Sequence, residues 1–217
     1  MDLTLAISHV YKSYDGKPVL QDCLYSFEKS GTYALMGPNG SGKSTFFRIC
    51  AFLEEPDRGE VHYLSGGILI EKNIEMRRRI TLLLPKVGVF NTTVFKNVSY
   101  GLTVRGISRD EITERVDNAL DFVGLVHKKN QRALTLSSGE MQRLGIARAM
   151  VVEPEILFLD EPTASVDQEN TEIIADIILR MKKMGKSIVV IATHDLTQAE
   201  RLADWLLLMK DGKIISS

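Results

Sequence analysis

Gly37-Pro38-Asn39-Gly40-Ser41-Gly42-Lys43-Ser44-Thr45 is the stretch that decides the reading of this chain. It satisfies every fixed position of the phosphate-binding pattern G-x-x-x-x-G-K-[ST]. Residues 32–36 before it are apolar and read as a short strand, and residues 45–53 after it read as a helix. A strand–loop–helix of this kind suits a polyphosphate. Glycines let the backbone wrap closely around phosphate oxygens, and successive N–H groups point inward as an anion nest. The helix that follows adds its positive N-terminal end. Lys43 has the reach for the β- and γ-phosphates, and the Ser44 hydroxyl suits Mg²⁺. The stretch predicts a nucleoside triphosphate site.

Outward from the loop, strands and helices alternate. Residues 3–10 alternate as a strand, Asp15-Gly16-Lys17-Pro18 is a turn, and residues 24–27 give another strand. Tyr14 stands just ahead of that turn, placed either to stack on a purine base or to pack a strand edge. Downstream, Glu54-Glu55-Pro56-Asp57-Arg58-Gly59 turns the chain, and residues 60–64 and 68–70 read as short strands. Residues 80–84 form an apolar run stopped by Pro85, as expected of a buried strand. From residue 86 to about 154 the pattern is helical. Ser108-Arg109-Asp110-Glu111 predicts a capping box, and Leu136-Ser137-Ser138-Gly139-Glu140-Met141-Gln142-Arg143 predicts a cap leading into a helix that runs to about Val152. Residues 156–160 are an apolar strand ending in Asp160. A long helix opening at Asp167 or Gln168 closes at Gly185. Residues 187–193 give one more apolar strand, ending at Thr193-His194-Asp195. A short helix to about Ala203 and a final strand over 206–209 follow. Such alternation predicts an α/β fold with a mostly parallel sheet covered on both faces.

The bulk numbers set bounds. With 217 residues the chain can bury one sizeable domain. Its formal net charge is −1 and its charged fraction 25%, so no nucleic-acid partner is expected through overall positive charge. The two cysteines, Cys23 and Cys50, fit structural thiols rather than a disulfide framework. No apolar run approaches the roughly 20 residues of a membrane helix, so any membrane role is expected to run through a partner.

Chemistry concentrates at strand ends. Ligands of a parallel sheet sit beyond the carboxyl ends of its strands, which would place Asp160 facing Mg²⁺ together with Ser44. Glu161 would polarise a water for in-line attack on the γ-phosphate, and His194, at the end of another core strand, would contact that phosphate. Glu161, His194 and Lys43 are the expected catalytic residues, and Ser44 and Asp160 the expected metal ligands.

The phosphate loop, Leu136-Ser137-Ser138-Gly139-Glu140, Ile156 to Pro162, Ser165-Val166-Asp167 and His194 stand in the order of the ATP-binding-cassette (ABC) transporter ATPases, which the whole chain resembles. The resemblance implies a P-loop NTPase with a RecA-like core, an antiparallel β-subdomain and an inserted helical subdomain. The expected division within 1–217 is 1–85 and 154–217 for the core and 86–153 for the helical part. It implies ATP and Mg²⁺ as ligands and an ATP-dependent homodimer. In that dimer Ser137, Ser138, Gly139 and Glu140 would reach the nucleotide held by the partner, with Asp167 at the shared interface. Tyr14 matches the aromatic that stacks on adenine. Separately encoded membrane permease subunits and a solute-binding protein are the implied partners, at the cytoplasmic face of the cell membrane. The segment Val89 to Leu102 resembles prokaryotic uptake systems, with tungstate-type oxyanion importers the nearest; an exporter subunit or a non-transport ABC ATPase is the alternative. Two departures stand out. Ser138 replaces a Gly of the family's pattern, and Pro85 occupies the place of a Gln that ligates Mg²⁺ and couples to the membrane partner. Either a water or Asn91 is then expected to serve the metal. A GTPase is disfavoured by the lack of an [NT]-K-x-D motif, and a small-molecule kinase by Leu136 to Glu140.

Overall fold

The computed structural model describes residues 3–164 and 166–216, so Ser165 of the quoted motif lies outside the described residues. Two sheets form the frame. The larger has six strands, named here with their ranges: β3 (Gly31–Met36), β6 (Ile80–Leu83), β7 (Ile156–Asp160), β8 (Ile188–Thr193), β9 (Trp205–Lys210) and β10 (Lys213–Ser216), in the order β10-β9-β3-β8-β7-β6. All neighbours in it are parallel except the β9–β10 hairpin. The smaller sheet is antiparallel, in the order β2-β1-β4-β5, from β1 (Leu3–Tyr14), β2 (Lys17–Phe27), β4 (Arg58–Ser65) and β5 (Ile68–Leu69).

Every residue of β7 and β8 is buried, which is why these strands read as unbroken apolar runs rather than alternating ones. Successive side chains still go to opposite faces. Leu157, Leu159, Val189 and Ile191 join one core with the helices α3 (Val94–Val104), α4 (Arg109–Phe122), α5 (Ser138–Met150) and α6 (Gln168–Met184). Ile156, Phe158, Val190 and Ala192 join the other, with α1 (Lys43–Cys50) and the inner face of the small sheet. α3, α4 and α5 all lie between β6 and β7, the segment expected to be helical.

Several boundaries differ from expectation for identifiable reasons. β1 and β2 run much longer than the apolar stretches suggest, because paired backbone carries the polar residues at their ends. α1 begins at Lys43 and ends at Cys50, inside the loop motif at one end and short of Leu53 at the other. A short α2 (Ile74–Arg78), capped by Asn73, and β10 are additions. At α4 only half of the capping box forms. The Ser108 hydroxyl accepts from the Glu111 N–H, but the Glu111 carboxylate turns to Arg115 at 2.6 Å instead. The complete box is at α5, where Ser137 Oγ accepts from Glu140 N–H and Glu140 Oε2 accepts from Ser137 N–H at 2.9 Å. α6 is capped by Asp167 and closed by Gly185 in the left-handed conformation, as expected.

Candidate functional site

The register of the large sheet brings its carboxyl ends into one row. Met36 pairs with Thr193, Asp160 with Ala192, and Leu83 with Leu159. The residues that follow those ends are Gly37, His194, Glu161 and, one further on, Pro85. A site is therefore assembled from four strands without any long connection.

At the phosphate loop, Gly42 has φ 107°, and a Cβ there would stand 2.9 Å from the Val19 carbonyl and 2.8 Å from Leu20. No L side chain fits, so the pattern's glycine is required by backbone and by space. The Lys43 ammonium is buried and donates to the carbonyls of Gly37 at 2.7 Å and Pro38 at 3.2 Å. It lies 3.5 Å from Glu161 Oε1. The other Glu161 oxygen meets His194 Nδ1 at 3.0 Å. Glu161 itself has φ 48°, the left-handed region that costs a side-chain-bearing residue, and its N–H is held by the Ala192 carbonyl. Lys43, Glu161 and His194 thus form one connected array.

Asp160 sits beneath it, fully buried, with neither carboxylate oxygen hydrogen-bonded. Burial raises its pKa above the ordinary carboxylate value, and the nearby Ser44 hydroxyl opposes the rise. The Ser41 hydroxyl is likewise buried without a partner. Unpartnered buried oxygens are costly, and here they line the rim of the phosphate loop. A hard divalent cation with oxygen ligands fits Asp160 and Ser44, completed by phosphate oxygens and water.

Tyr14 is 40% exposed, and its hydroxyl donates to Glu54 Oε1 at 2.6 Å. Burial and the Glu54 carboxylate hold its pKa up, so the hydroxyl stays a donor. Ser137, Ser138, Gly139 and Glu140 are not joined to the phosphate loop by any hydrogen bond or ion pair among the described residues. They open α5, which packs on α3, α4, β6 and α6. The Glu140 carboxylate is committed to the Ser137 N–H and to Lys128 at 3.3 Å. Asp167 caps α6 and accepts from the backbone and side chain of Asn170, which lowers its pKa. Pro85 lies in a bend just past the end of β6, in the row of strand ends, and Asn91 is exposed in a later bend.

Two supporting residues escape the sequence reading. Gln198 is buried and bonds both Thr163 and Thr193, tying the turn after Glu161 to the strand end before His194. Its signal is a polar residue on the buried face of a short helix, α7 (Leu196–Leu202). Glu54 carries no signal at all until the fold brings it to Tyr14.

The ABC transporter family matches residues 20–164, more than half of the chain. A phosphate import ATP-binding protein, PstB 2, of Natronomonas pharaonis is 36% identical, over 98% of this chain and 79% of its own length. The tungstate uptake system ATP-binding protein TupC of Peptoclostridium acidaminophilum is 34% identical, over 98% of this chain and 97% of its own. Among solved structures, the dimeric structure of MJ0796, a bacterial ABC transporter cassette, superposes with TM-score 0.85 at 26% identity, covering 97% of this chain and 96% of that one. The chain belongs to the ABC transporter family, as one of its ATP-binding transport ATPases.

Proposed function

We propose that this ATPase drives an uptake system for an oxyanion, tungstate or a close relative, from the cytoplasmic face of the membrane. The observation that carries the catalytic part is the convergence of Lys43, Asp160, Glu161 and His194 on the rim of the phosphate loop. Lys43 would exchange its two loop carbonyls for β- and γ-phosphate oxygens. Ser44 and Asp160 would hold Mg²⁺, which when bound supplies neutralising charge to those oxygens. Glu161 would orient a water in line with the γ-phosphorus and take up its proton as the bond to the bridging oxygen breaks. His194, fixed to Glu161 through Nδ1, leaves Nε2 to face the γ-phosphate. Tyr14 would stack on the adenine.

The nucleotide would be closed in by a second copy, whose Ser137, Ser138, Gly139 and Glu140 complete the site across an interface containing Asp167. Support comes from the position of those residues, apart from their own chain's loop. Permease subunits would dock where the exposed Phe90 and Tyr100 rings lie 4.7 Å apart, and a solute-binding protein would deliver the anion. Within the cassette, 1–85 and 154–217 would act as the core and 86–153 as the helical arm. The anion reading rests on the uptake roles in the relatives' names. Among the described residues no helix is long and apolar enough to cross a membrane.

Glu161→Gln tests the catalytic assignment. The variant is expected to bind ATP as the wild type does while turnover falls at least 100-fold, roughly the effect of losing a positioned proton acceptor. Hydrolysis at the wild-type rate would remove Glu161 from the reaction.

A further inference from the structure

The surroundings of Tyr14 are more heavily built than a stacking ring requires. Lys12 Nζ lies 5.6 Å from the Tyr14 ring centroid, over one face. That ammonium is itself pinned: it donates to the Glu55 carbonyl at 2.9 Å and pairs with Glu54 Oε1 at 3.4 Å and Asp57 Oδ1 at 3.2 Å. Asp57 Oδ2 accepts from the Ser13 N–H at 2.7 Å, and the Asp57 N–H donates to the Tyr11 carbonyl. The segment after α1 is thereby clasped to the end of β1 along its length. Glu54 then fixes the ring by its hydroxyl.

A phenol on a strand end would otherwise swing about its χ1 and χ2 bonds, and ordering it on ligand binding would cost affinity. Here one face is taken by Lys12 and the edge by Glu54, while the ring remains 40% exposed. With Lys12 over one face, the exposure that remains falls to the rest of the ring. The clasp also has a metric consequence, because Glu54 stands four residues past Cys50, the end of the helix that begins at Lys43. Ring and phosphate loop are held at a fixed separation, as a ligand with a base at one end and phosphates at the other requires.

We propose that Glu54 and Lys12 are positioning residues for base recognition, holding the Tyr14 ring by its hydroxyl and one face so that the other face is presented to the adenine of ATP. The inference rests on the reading of Tyr14 as the stacking residue, and the experiment separates the two. Binding of a non-hydrolysable ATP analogue and of inorganic tripolyphosphate, which has no base, is measured by calorimetry. The proteins are wild type, Tyr14→Ala, Tyr14→Phe, Glu54→Ala, Glu54→Gln and Lys12→Met. Base stacking is worth enough that Tyr14→Ala should weaken the analogue about tenfold. Glu54→Ala, Lys12→Met and Tyr14→Phe should each weaken it about threefold to fivefold, since the ring survives unheld. Glu54→Gln retains an acceptor for the hydroxyl and should restore most of the loss. Combining Tyr14→Phe with Glu54→Ala should cost no more than either alone, since both remove the same bond. Tripolyphosphate should bind all of them alike. If Tyr14→Ala weakens the analogue while Glu54→Ala and Lys12→Met do not, the positioning role is wrong and the stacking role stands. If Tyr14→Ala itself changes nothing, the stacking reading falls and the inference with it. Equal losses for tripolyphosphate would place Glu54 in the folding of the phosphate loop and overturn the proposal.

Discussion

Asp160 shows how a single residue trades stability for chemistry. Its carboxylate is fully buried with neither oxygen in a hydrogen bond, and the nearby Ser44 hydroxyl offsets that burial only in part, a state that lowers folding stability. Asp160→Asn removes the charge at nearly constant volume. In chelator and without nucleotide, this variant is expected to be more stable than wild type by about 1 kcal/mol, which at this chain length raises the melting temperature by about 2–4 °C. Added Mg²⁺ and ATP analogue should then stabilise the wild type and leave the variant nearly unmoved. Differential scanning fluorimetry decides it, and a lower melting temperature for the metal-free variant would mean that Asp160 has a protein partner. At this scale the sequence is most legible where backbone geometry dictates the residue. Gly42 can be nothing else, and a carboxylate closing an apolar strand announces itself. Glu54 and Gln198 are illegible because their partners, Tyr14 and Thr163, are 40 and 35 positions away.

Gly139 belongs to the scale of elements, where α5 meets α6. A Cβ at Gly139 would stand 2.0–2.5 Å from three atoms of the Asn170 side chain. Asn170 is not free to yield, since it donates to both Asp167 oxygens at 2.9 and 3.1 Å. The glycine therefore has a reason within its own chain, besides any approach to phosphate. Gly139→Ala is expected to lower stability by about 1–2 kcal/mol as Asn170 is forced from Asp167. Adding Asn170→Ala should recover part of that loss, and chemical denaturation of the single and double variants measures it. If the second change deepens the loss, the two side chains do not share that space. Caps illustrate how far element signals reach. Ser108 to Glu111 and Ser137 to Glu140 share the capping-box pattern, yet only the second closes it, because Arg115 draws Glu111 along the helix. The pattern cannot show that competition. Pro85 is the reverse case. The β6–β7 register ends at the Leu83–Leu159 pair, which sets Pro85 two residues past the end of the strand.

For the whole molecule, the alternation of strands and helices was enough to predict a mostly parallel sheet covered on both faces. Strand order was beyond it, because pairing between distant segments leaves no local trace. The proposed dimer is a prediction at this scale. In Glu161→Gln, light scattering is expected to give a monomer mass without nucleotide and about twice that mass with ATP, as each phosphate loop meets the partner's Ser137 to Glu140. An unchanged mass would count against the shared site. The place of β3 carries a consequence for synthesis. The strand that feeds the phosphate loop lies between β8 and β9, whose first residues follow it by about 150 positions or more. At ribosomal rates the nascent chain must carry β3 without either neighbour for about ten to thirty seconds. During that interval an apolar strand with two open edges is a target for chaperones or for misassociation with other chains. The nucleotide loop is made long before the strands that set it in place.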